Sequence, residues 1–202
     1  MLTTAADFKF IAHVAEHNLS YATMSEFEAR KTIFAHKDAI FEEINSDPAN
    51  TFTVGHNKFS TWTDSELDRI RGYKAVQRDV EQYEDGTPTA SSVNWVTAGG
   101  VTPVKDQGNC GSCWAFSSTG ALEGGHFAKK GELISLSEQL LVDCDHAGSD
   151  GCNGGDMQMA FYWAVNNKLE KESDYKYKAK AGTCHKADYT GLYNTAGANA
   201  IK

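Results

Sequence analysis

The stretch that decides how this chain folds and what it does is Gln107-Gly108-Asn109-Cys110-Gly111-Ser112-Cys113-Trp114-Ala115-Phe116. Cys113 is a candidate nucleophile, because a thiolate at the first residue of a helix is stabilised by free backbone amides and the positive helix end. Gln107 is a candidate oxyanion donor. Its side-chain amide, joined by the backbone amide of Cys113, can stabilise a tetrahedral intermediate by about 3 kcal/mol. The stretch therefore predicts half of an acyl-transfer site, which also needs an imidazole base.

Length and composition narrow the class of protein. The chain has 202 residues, 41% of them apolar and 11% aromatic, which suits one large or two small globular domains. A formal net charge of -8 argues against nucleic acid as a partner, since phosphate binding needs clustered Lys and Arg. No window has the 18 or so consecutive apolar residues of a membrane helix, and residues 1–11 lack the pattern of a secretory leader. We expect neither nucleic acid nor membrane as a partner.

The cysteines point to an oxidising compartment. There are five of them: Cys110, Cys113, Cys144, Cys152 and Cys184. An odd number suggests two disulfides and one reactive thiol, and a cytosolic chain with five inert thiols is the alternative. The two-residue spacing between Cys110 and Cys113 also fits redox and zinc sites, but the eight-residue separation of Cys144 from Cys152 fits no zinc pattern. We expect no metal and no cofactor.

The region before residue 73 is predicted to be helical. Apolar residues recur at helical spacing from Phe27 to Ile44, and Glu26 lies four residues before Arg30, where it can form an ion pair. The four histidines of this region are expected to face solvent. They are His13, His17, His36 and His56.

Shorter signals follow this helix. Phe52 and Val54 alternate with polar residues as in a short strand, and Thr63 with Glu66 forms a capping box for another helix. The polar residues 73–92 are typical of an exposed connector. We place a domain boundary there.

Three more helices are predicted beyond the connector. The first runs from Cys113 to Lys130, with Ser112 as its N-cap and Gly131 as its C-cap. Ser135 and Glu138 form a capping box for the second. The third carries apolar residues at helical spacing, namely Met157, Ala160, Phe161, Ala164 and Val165.

Four motifs together resemble the amino-terminal half of papain-like, cathepsin L-like cysteine proteases. They are residues 107–116, 137–140, 142–144 and 151–155. The resemblance implies an α+β, papain-like fold that is mostly helical here, with the β-rich right-hand domain largely absent. It further implies an inhibitory prosegment over residues 1–72, a connector with the activation cleavage region over 73–92, and the N-terminal helical half of the peptidase domain over 93–202.

The resemblance also assigns site residues. It implies disulfides Cys110–Cys152 and Cys144–Cys184, with Cys113 left free as the nucleophile.

Four further residues are implied to bind substrate. Gly154 and Gly155 would present their backbone to an extended peptide, and Asp156 and Met157 would line the main specificity pocket. Met157 suits an apolar substrate side chain. Asp156 could accept a basic one, or could simply cap the helix that it begins, and the sequence leaves both interpretations open.

The first region is similar to the prosegment of this family. Its motifs match at Glu26, Arg30, Phe34, Asn45, Gly55, Asn57 and Phe59. Lys37 and Phe41 replace the usual Asn and Ile, and Thr61 replaces an Asp that the family associates with pH-dependent processing. The resemblance implies that the connector runs through the substrate cleft in the reverse direction and is cut near residues 87–93.

The implied function is that of a cysteine endopeptidase zymogen with peptide or protein substrates and its own prosegment as intramolecular inhibitor. The catalytic His and Asn are expected about 130 to 150 residues beyond the nucleophile, past Lys202. None of His126, His146 and His185 is assigned as the base, so the isolated 202-residue chain is expected to be inactive. The disulfides and the resemblance imply a lysosomal, vacuolar or secreted protein. The alternative is a truncated, non-catalytic protein whose prosegment inhibits papain-like proteases in trans.

Overall fold

The chain folds into two compact units, Met1–Leu67 and Asp68–Lys202. The computed structural model describes residues 4–75 and 90–185. Within these ranges the secondary structure is helical, with two isolated β-bridges and no strand. The six α-helices are α1 Ala5–Glu16, α2 Met24–Ser46, α3 Asp64–Ile70, α4 Cys113–Lys130, α5 Glu138–Cys144 and α6 Met157–Asn166. The predicted helical character of both regions is confirmed, and no helix among the described residues is long and apolar enough to cross a membrane.

Helix α1 was not predicted from the sequence. It begins with a capping box in which the Thr4 hydroxyl accepts from the Asp7 amide at 3.2 Å and the Asp7 carboxylate accepts from the Thr4 amide at 3.0 Å. A Thr three residues before an acidic residue is a signal that could have located this helix start.

Helix α2 contains the predicted Phe27–Ile44 segment and extends beyond it at both ends. Thr23 caps its start by accepting from the Glu26 amide at 3.1 Å. Its end at Ser46 precedes Pro48, which disfavours helical backbone in the residue before it.

The short strand predicted at Phe52 and Val54 is wrong. Both backbone groups of Val54 bond to the side-chain amide of Asn45, each at 2.8 Å. A side chain at the end of α2 therefore supplies the partners that a neighbouring strand would have supplied.

The core of the first unit is small and aromatic. Its buried apolar side chains, among the described residues, are Phe10 and Phe34, and His13 is buried with them at 4% exposure. The prediction that His13 faces solvent is wrong, because it lies three residues after Phe10 on the same face of α1. His36 is exposed, as predicted.

The second unit packs α5 and α6 against α4. Its fully buried side chains include Trp114, Leu140, Leu141, Ala160, Ala164 and Leu169. Gly131 ends α4 in the left-handed conformation at φ 73°, and its amide donates to the Phe127 carbonyl at 2.7 Å. The predicted bounds of α4 are confirmed.

Of the two predicted caps of this unit, Ser112 is confirmed in position and Ser135 is wrong. Ser112 stands at the N-cap of α4, but its side chain makes no capping bond and lies 2.6 Å from the Tyr177 hydroxyl instead. The N-cap of α5 is Ser137 rather than Ser135, and its hydroxyl accepts from the Leu140 amide at 3.0 Å.

The Glu138 carboxylate takes no part in capping, because it binds the buried cluster around Lys105. The Lys105 ammonium donates to Glu138 at 2.6 Å and to Glu123 at 2.9 Å. Burial alone would lower the pKa of Lys105, but the hydrogen bonds to the two carboxylates outweigh it and raise that pKa. The ammonium thus stays charged and ties α4 to the start of α5.

Candidate active site

Cys113 is the first residue of α4 and the free thiol among the described cysteines. Its neighbours Ser112 and Trp114 are fully buried, whereas Cys113 itself is half-buried. The thiol of this half-buried residue therefore sits at the positive end of a helix of 18 residues.

Gln107 is engaged through its side-chain amide. Its Nε2 donates to the carbonyl oxygen of Ile70 and to that of Cys110, each at 2.8 Å. The group predicted to stabilise an oxyanion thus already holds the backbone carbonyl oxygen of the last residue of α3.

Tyr177 fixes the loop between Gln107 and Ser112. Its hydroxyl donates to the Gln107 carbonyl at 2.8 Å and lies 2.6 Å from the Ser112 hydroxyl, while its ring packs edge-on against Phe116. Burial raises the pKa of Tyr177, so the phenol remains a donor at neutral pH. The sequence analysis missed this residue, because no local pattern marks a contact made across 65 and 70 residues of chain.

Gly155 pairs its backbone with an extended segment. Its amide donates to the Gly72 carbonyl at 2.7 Å, and its carbonyl accepts from the Lys74 amide at 2.8 Å, which makes a parallel bridge with Tyr73. A side chain on Gly72 would overlap the Gly111 carbonyl, and one on Gly154 would overlap the Gly72 carbonyl. Glycine is required here because backbone packs directly on backbone.

The predicted substrate-binding residues surround this pairing. Gly154 and Gly155 both approach Gly72, as a site for an extended peptide would require. The reverse path of the connector stays a prediction, because residues 76–89 lie outside the described residues, as do residues 87–89 of the expected cleavage region.

Asp156 is fully buried and caps α6. Its carboxylate accepts from the amides of Gln158 at 2.8 Å and Met159 at 3.3 Å. Met157 is half-buried beside it. These contacts favour the capping interpretation of Asp156.

Two disulfides hold the site together, and they are the pairs that the resemblance implies. Cys110–Cys152 links the Gln107 loop to the turn before Gly154, and the Gly111 amide donates to the Cys152 carbonyl at 2.9 Å. Cys144–Cys184 ties the end of α5 to the segment after Tyr177. Across residues 4–75 and 90–185, no group of His, Cys, Asp and Glu side chains could hold a metal ion.

A free cysteine at the first residue of a helix, preceded in the chain by an amide donor such as Gln107, is typical of thiol-dependent peptidases. The model of the papain family cysteine proteases matches residues 89–201, and that of the cathepsin propeptide inhibitor domain matches residues 10–67. The chain belongs to the papain family of cysteine proteases.

Known proteins match across both regions. Digestive cysteine proteinase 2 of Homarus americanus is 43% identical over 180 residues, covering 84% of this chain and 55% of the relative. Cathepsin L of Sarcophaga peregrina is 40% identical over 187 residues, covering 84% of this chain and 55% of the relative. The structure of digestive procathepsin L 3 from Tenebrio molitor larval midgut superposes with a TM-score of 0.78 at 32% identity, covering 95% of this chain and 65% of that one. The chain thus spans about half the length of the curated relatives that it matches.

Proposed function

We propose that this chain carries the nucleophile half of a cysteine endopeptidase zymogen. The observation that carries the proposal is that the Gln107 amide holds the Ile70 carbonyl, in a chain whose free thiol is the first residue of α4. A backbone carbonyl oxygen on that donor takes the place that the oxygen of a substrate carbonyl would take in the proposed reaction.

In the proposed reaction the Cys113 sulfur attacks the carbonyl carbon of a peptide bond, and Gln107 donates to the oxygen as it becomes negative. Collapse of the tetrahedral intermediate leaves a thioester on Cys113 and expels the amine, which takes its proton from an imidazolium. Water then hydrolyses the thioester with the imidazole as base. We assign no described histidine to this role, and the family spacing puts it and its orienting Asn about 130 to 150 residues beyond the nucleophile.

The zymogen character rests on the last residue of α3 and the segment that follows it. Gly72 and Lys74 use both backbone groups of Gly155, and Ile70 uses the side-chain amide of Gln107. A peptide substrate needs the same groups, so the protein's own prosegment would inhibit it by occupying them. This proposal includes residues 1–72 as prosegment, 73–92 as connector and 93–202 as the helical half of the peptidase domain.

The proposal extends to the substrate preference of the protease and to its cellular location. Met157 would contribute to an apolar specificity pocket. Asp156 would cap α6 and take no part in that pocket, which substrate profiling tests. The two disulfides support a lysosomal, vacuolar or secreted location, and the relatives from Homarus americanus are named as digestive proteinases. A purely inhibitory protein is not favoured, because the relatives that match both regions are themselves proteinases.

The test is labelling of Cys113 by a peptidyl epoxide at pH 5.5, compared with glutathione as a free-thiol standard. In the native protein, after processing, Cys113 should react at least about 100-fold faster than glutathione, because an activated thiolate is both ionised and positioned. A rate equal to that of glutathione would overturn the proposal.

A second prediction concerns the activity of the recombinant 202-residue chain. We expect no detectable peptide hydrolysis, since a base is needed for acylation and for deacylation. Turnover that disappears in Cys113→Ala would show that residues 1–202 contain a complete site, against this expectation.

A further inference from the structure

Tyr177 bonds to both ends of the loop that precedes the nucleophile. Its hydroxyl donates to the Gln107 carbonyl at 2.8 Å and lies 2.6 Å from the hydroxyl of Ser112. A phenol has one proton and a carbonyl can only accept, so the Ser112 hydroxyl is the donor to the Tyr177 oxygen. One oxygen atom therefore connects the backbone of the candidate oxyanion donor to the residue directly before Cys113.

The other bonds around Gln107 within this loop are local. The amide of Gly108, a residue with the left-handed φ of 60°, donates to the Asp106 side chain at 2.8 Å. The side-chain amide of Gln107 donates to the Cys110 carbonyl at 2.8 Å. Bonds of this kind keep the shape of the loop, whereas the Tyr177 phenol, from 70 residues further along the chain, fixes where the loop lies.

Tyr177 is itself anchored to the helix that carries the nucleophile. Its ring packs edge-on against that of Phe116, in the first turn of α4, with the ring centroids 4.8 Å apart. Its amide donates to the Glu172 carboxylate at 2.9 Å, and the Glu172 amide donates to the Ser135 carbonyl at 3.0 Å. The phenol thus holds the Gln107 backbone at a place that is fixed relative to the start of α4.

The bond to Tyr177 takes the Ser112 hydroxyl away from a stabilising role. An N-cap serine ordinarily accepts from an amide of the first helical turn, which is worth about 1 kcal/mol. Ser112 stands at the N-cap of α4, fully buried, and makes no such bond. Stability of α4 alone would favour the cap, so the arrangement favours a fixed loop over a more stable helix.

We propose that Tyr177 is a positioning residue for the oxyanion donor: its hydroxyl fixes Gln107 and Ser112 so that the Gln107 side-chain amide and the Cys113 backbone amide meet the same oxygen. The inference rests on the proposed function of Gln107. The Tyr177 hydroxyl bonds to the Gln107 backbone and to Ser112, so it acts through the loop and not on the reacting atoms. A catalytic group displaced by about 1 Å can lose about 100-fold in rate, so the loss of a positioning bond is measurable.

Two reactions at the Cys113 sulfur depend differently on the oxyanion donor. Attack on a peptide carbonyl puts negative charge on the carbonyl oxygen, which Gln107 would stabilise. Alkylation of the sulfur by a peptidyl epoxide puts no charge on a carbonyl oxygen. Comparing the two rates therefore separates a misplaced donor from general damage to the site.

The test is Tyr177→Phe in the complete, processed protease at pH 5.5, with a peptide amide as substrate. We expect kcat to fall about 10- to 100-fold, while KM and the rate of epoxide labelling stay within about 3-fold of native. An unchanged kcat, or a kcat and a labelling rate that fall together, would overturn the proposal. Labelling of the native protein no faster than that of glutathione would instead contradict the proposed function, so the two failures are distinguishable.

A double variant tests whether Tyr177 acts through Gln107. Gln107→Ala alone should lower kcat about 100- to 1000-fold, the cost of losing one oxyanion donor. Adding Tyr177→Phe should lower kcat by less than about 3-fold further, since the group that it positions is already gone. A full additional loss would show an independent role for Tyr177 and contradict the proposal.

Tyr162→Phe is the matched control. Tyr162 lies exposed on α6, and its hydroxyl accepts from the Gln158 side chain at 3.0 Å. Removing this hydroxyl should leave kcat unchanged.

Ser112→Ala covers the case in which Tyr177→Phe does not fold. It keeps the phenol and frees one end of the loop, so kcat should fall about 3- to 10-fold while epoxide labelling stays unchanged. A kcat equal to that of the native protein would overturn the proposal.

Discussion

At the scale of single residues, Asp156 shows what burial adds to a sequence motif. Its position suggested either a pocket residue or a helix cap. The structure buries the carboxylate completely and gives it two amide donors at the start of α6. A buried carboxylate bonded to a helix start is stabilised by both the hydrogen bonds and the positive helix end.

We expect Asp156→Ala to lower the free energy of unfolding of the second unit by about 1 kcal/mol or more, because capping substitutions cost about 0.5–2 kcal/mol. Asp156→Asn should cost less, since the amide oxygen can still cap. Urea denaturation monitored by tryptophan fluorescence measures both.

If Asp156 instead lined the specificity pocket, its substitution would change substrate preference. It requires Asp156→Asn in the complete protease to change the kcat/KM ratio for basic over apolar side chains by about 10-fold or more. An unchanged ratio together with the loss of stability in Asp156→Ala leaves capping as the role of this residue.

At the scale of elements, Arg30 and Glu66 join α2 to α3. The guanidinium binds both oxygens of the Glu66 carboxylate, with Nη2 at 2.7 Å from Oε1, and also donates to the Thr61 carbonyl at 3.0 Å. Glu66 completes the capping box with Thr63, whose amide donates to it at 2.8 Å. The predicted capping box is confirmed, and the expected Glu26–Arg30 pair is present at 3.3 Å.

This pairing makes the junction sensitive to strong acid. The hydrogen bonds from Arg30 outweigh burial and lower the pKa of Glu66 to about 2, from an ordinary value of 4.5. Because the folded pKa is depressed, the stabilisation is full above about pH 4.5 and is lost as the pH falls through about 2.

Glu66→Gln keeps an oxygen that can cap and removes the charge. We expect it to lower the free energy of unfolding of the first unit by about 1.5–3 kcal/mol at pH 7, the range for hydrogen bonds to charged groups. The difference from the native chain should shrink between pH 4.5 and pH 2. Glu28→Gln is the control, because Glu28 is exposed in its pair with Lys31 and should cost less than about 0.5 kcal/mol.

Denaturation series at pH 7, 4.5 and 2 would test whether the Arg30–Glu66 ion pair is the source of this stability difference. A constant difference between Glu66→Gln and the native chain at all three values would contradict the ion pair as its source.

At the scale of the whole molecule, the two units are held together internally by different means. Both disulfides lie in the second unit and close loops of 42 and 40 residues. The described residues of the first unit rely on a small aromatic core and on ion pairs. The units should therefore respond differently to reductant.

Reduction should destabilise the second unit and leave the first unit unaffected. Each loop is worth up to about 4 kcal/mol in the chain-entropy estimate, so dithiothreitol should lower the urea midpoint of the second unit markedly. Limited proteolysis with and without reductant locates the effect. Faster cleavage within residues 4–60 after reduction would contradict the prediction.

How much the sequence could predict depended on how local each signal was. The bounds of α4, its C-cap Gly131 and the capping box of α3 came from neighbouring residues, and the structure bears them out. The predicted cap Ser135 is wrong and Ser137 caps α5 instead, because Lys105 and Thr119, from distant parts of the chain, bind the Glu138 carboxylate that the predicted capping box needed. A sequence pattern does not contain that competition.

The sequence by itself determined the helical class of both regions, the family and the candidate groups Cys113 and Gln107, since periodicity, capping and motif spacing are local properties. Only the tertiary structure decided that Gln107 holds the Ile70 carbonyl, that Tyr177 fixes the loop between Gln107 and Ser112, and that His13 lies in the core. These features depend on contacts between segments far apart in the chain. Such contacts arise from packing and burial, which set the environment of a side chain but leave no periodic trace in its neighbours.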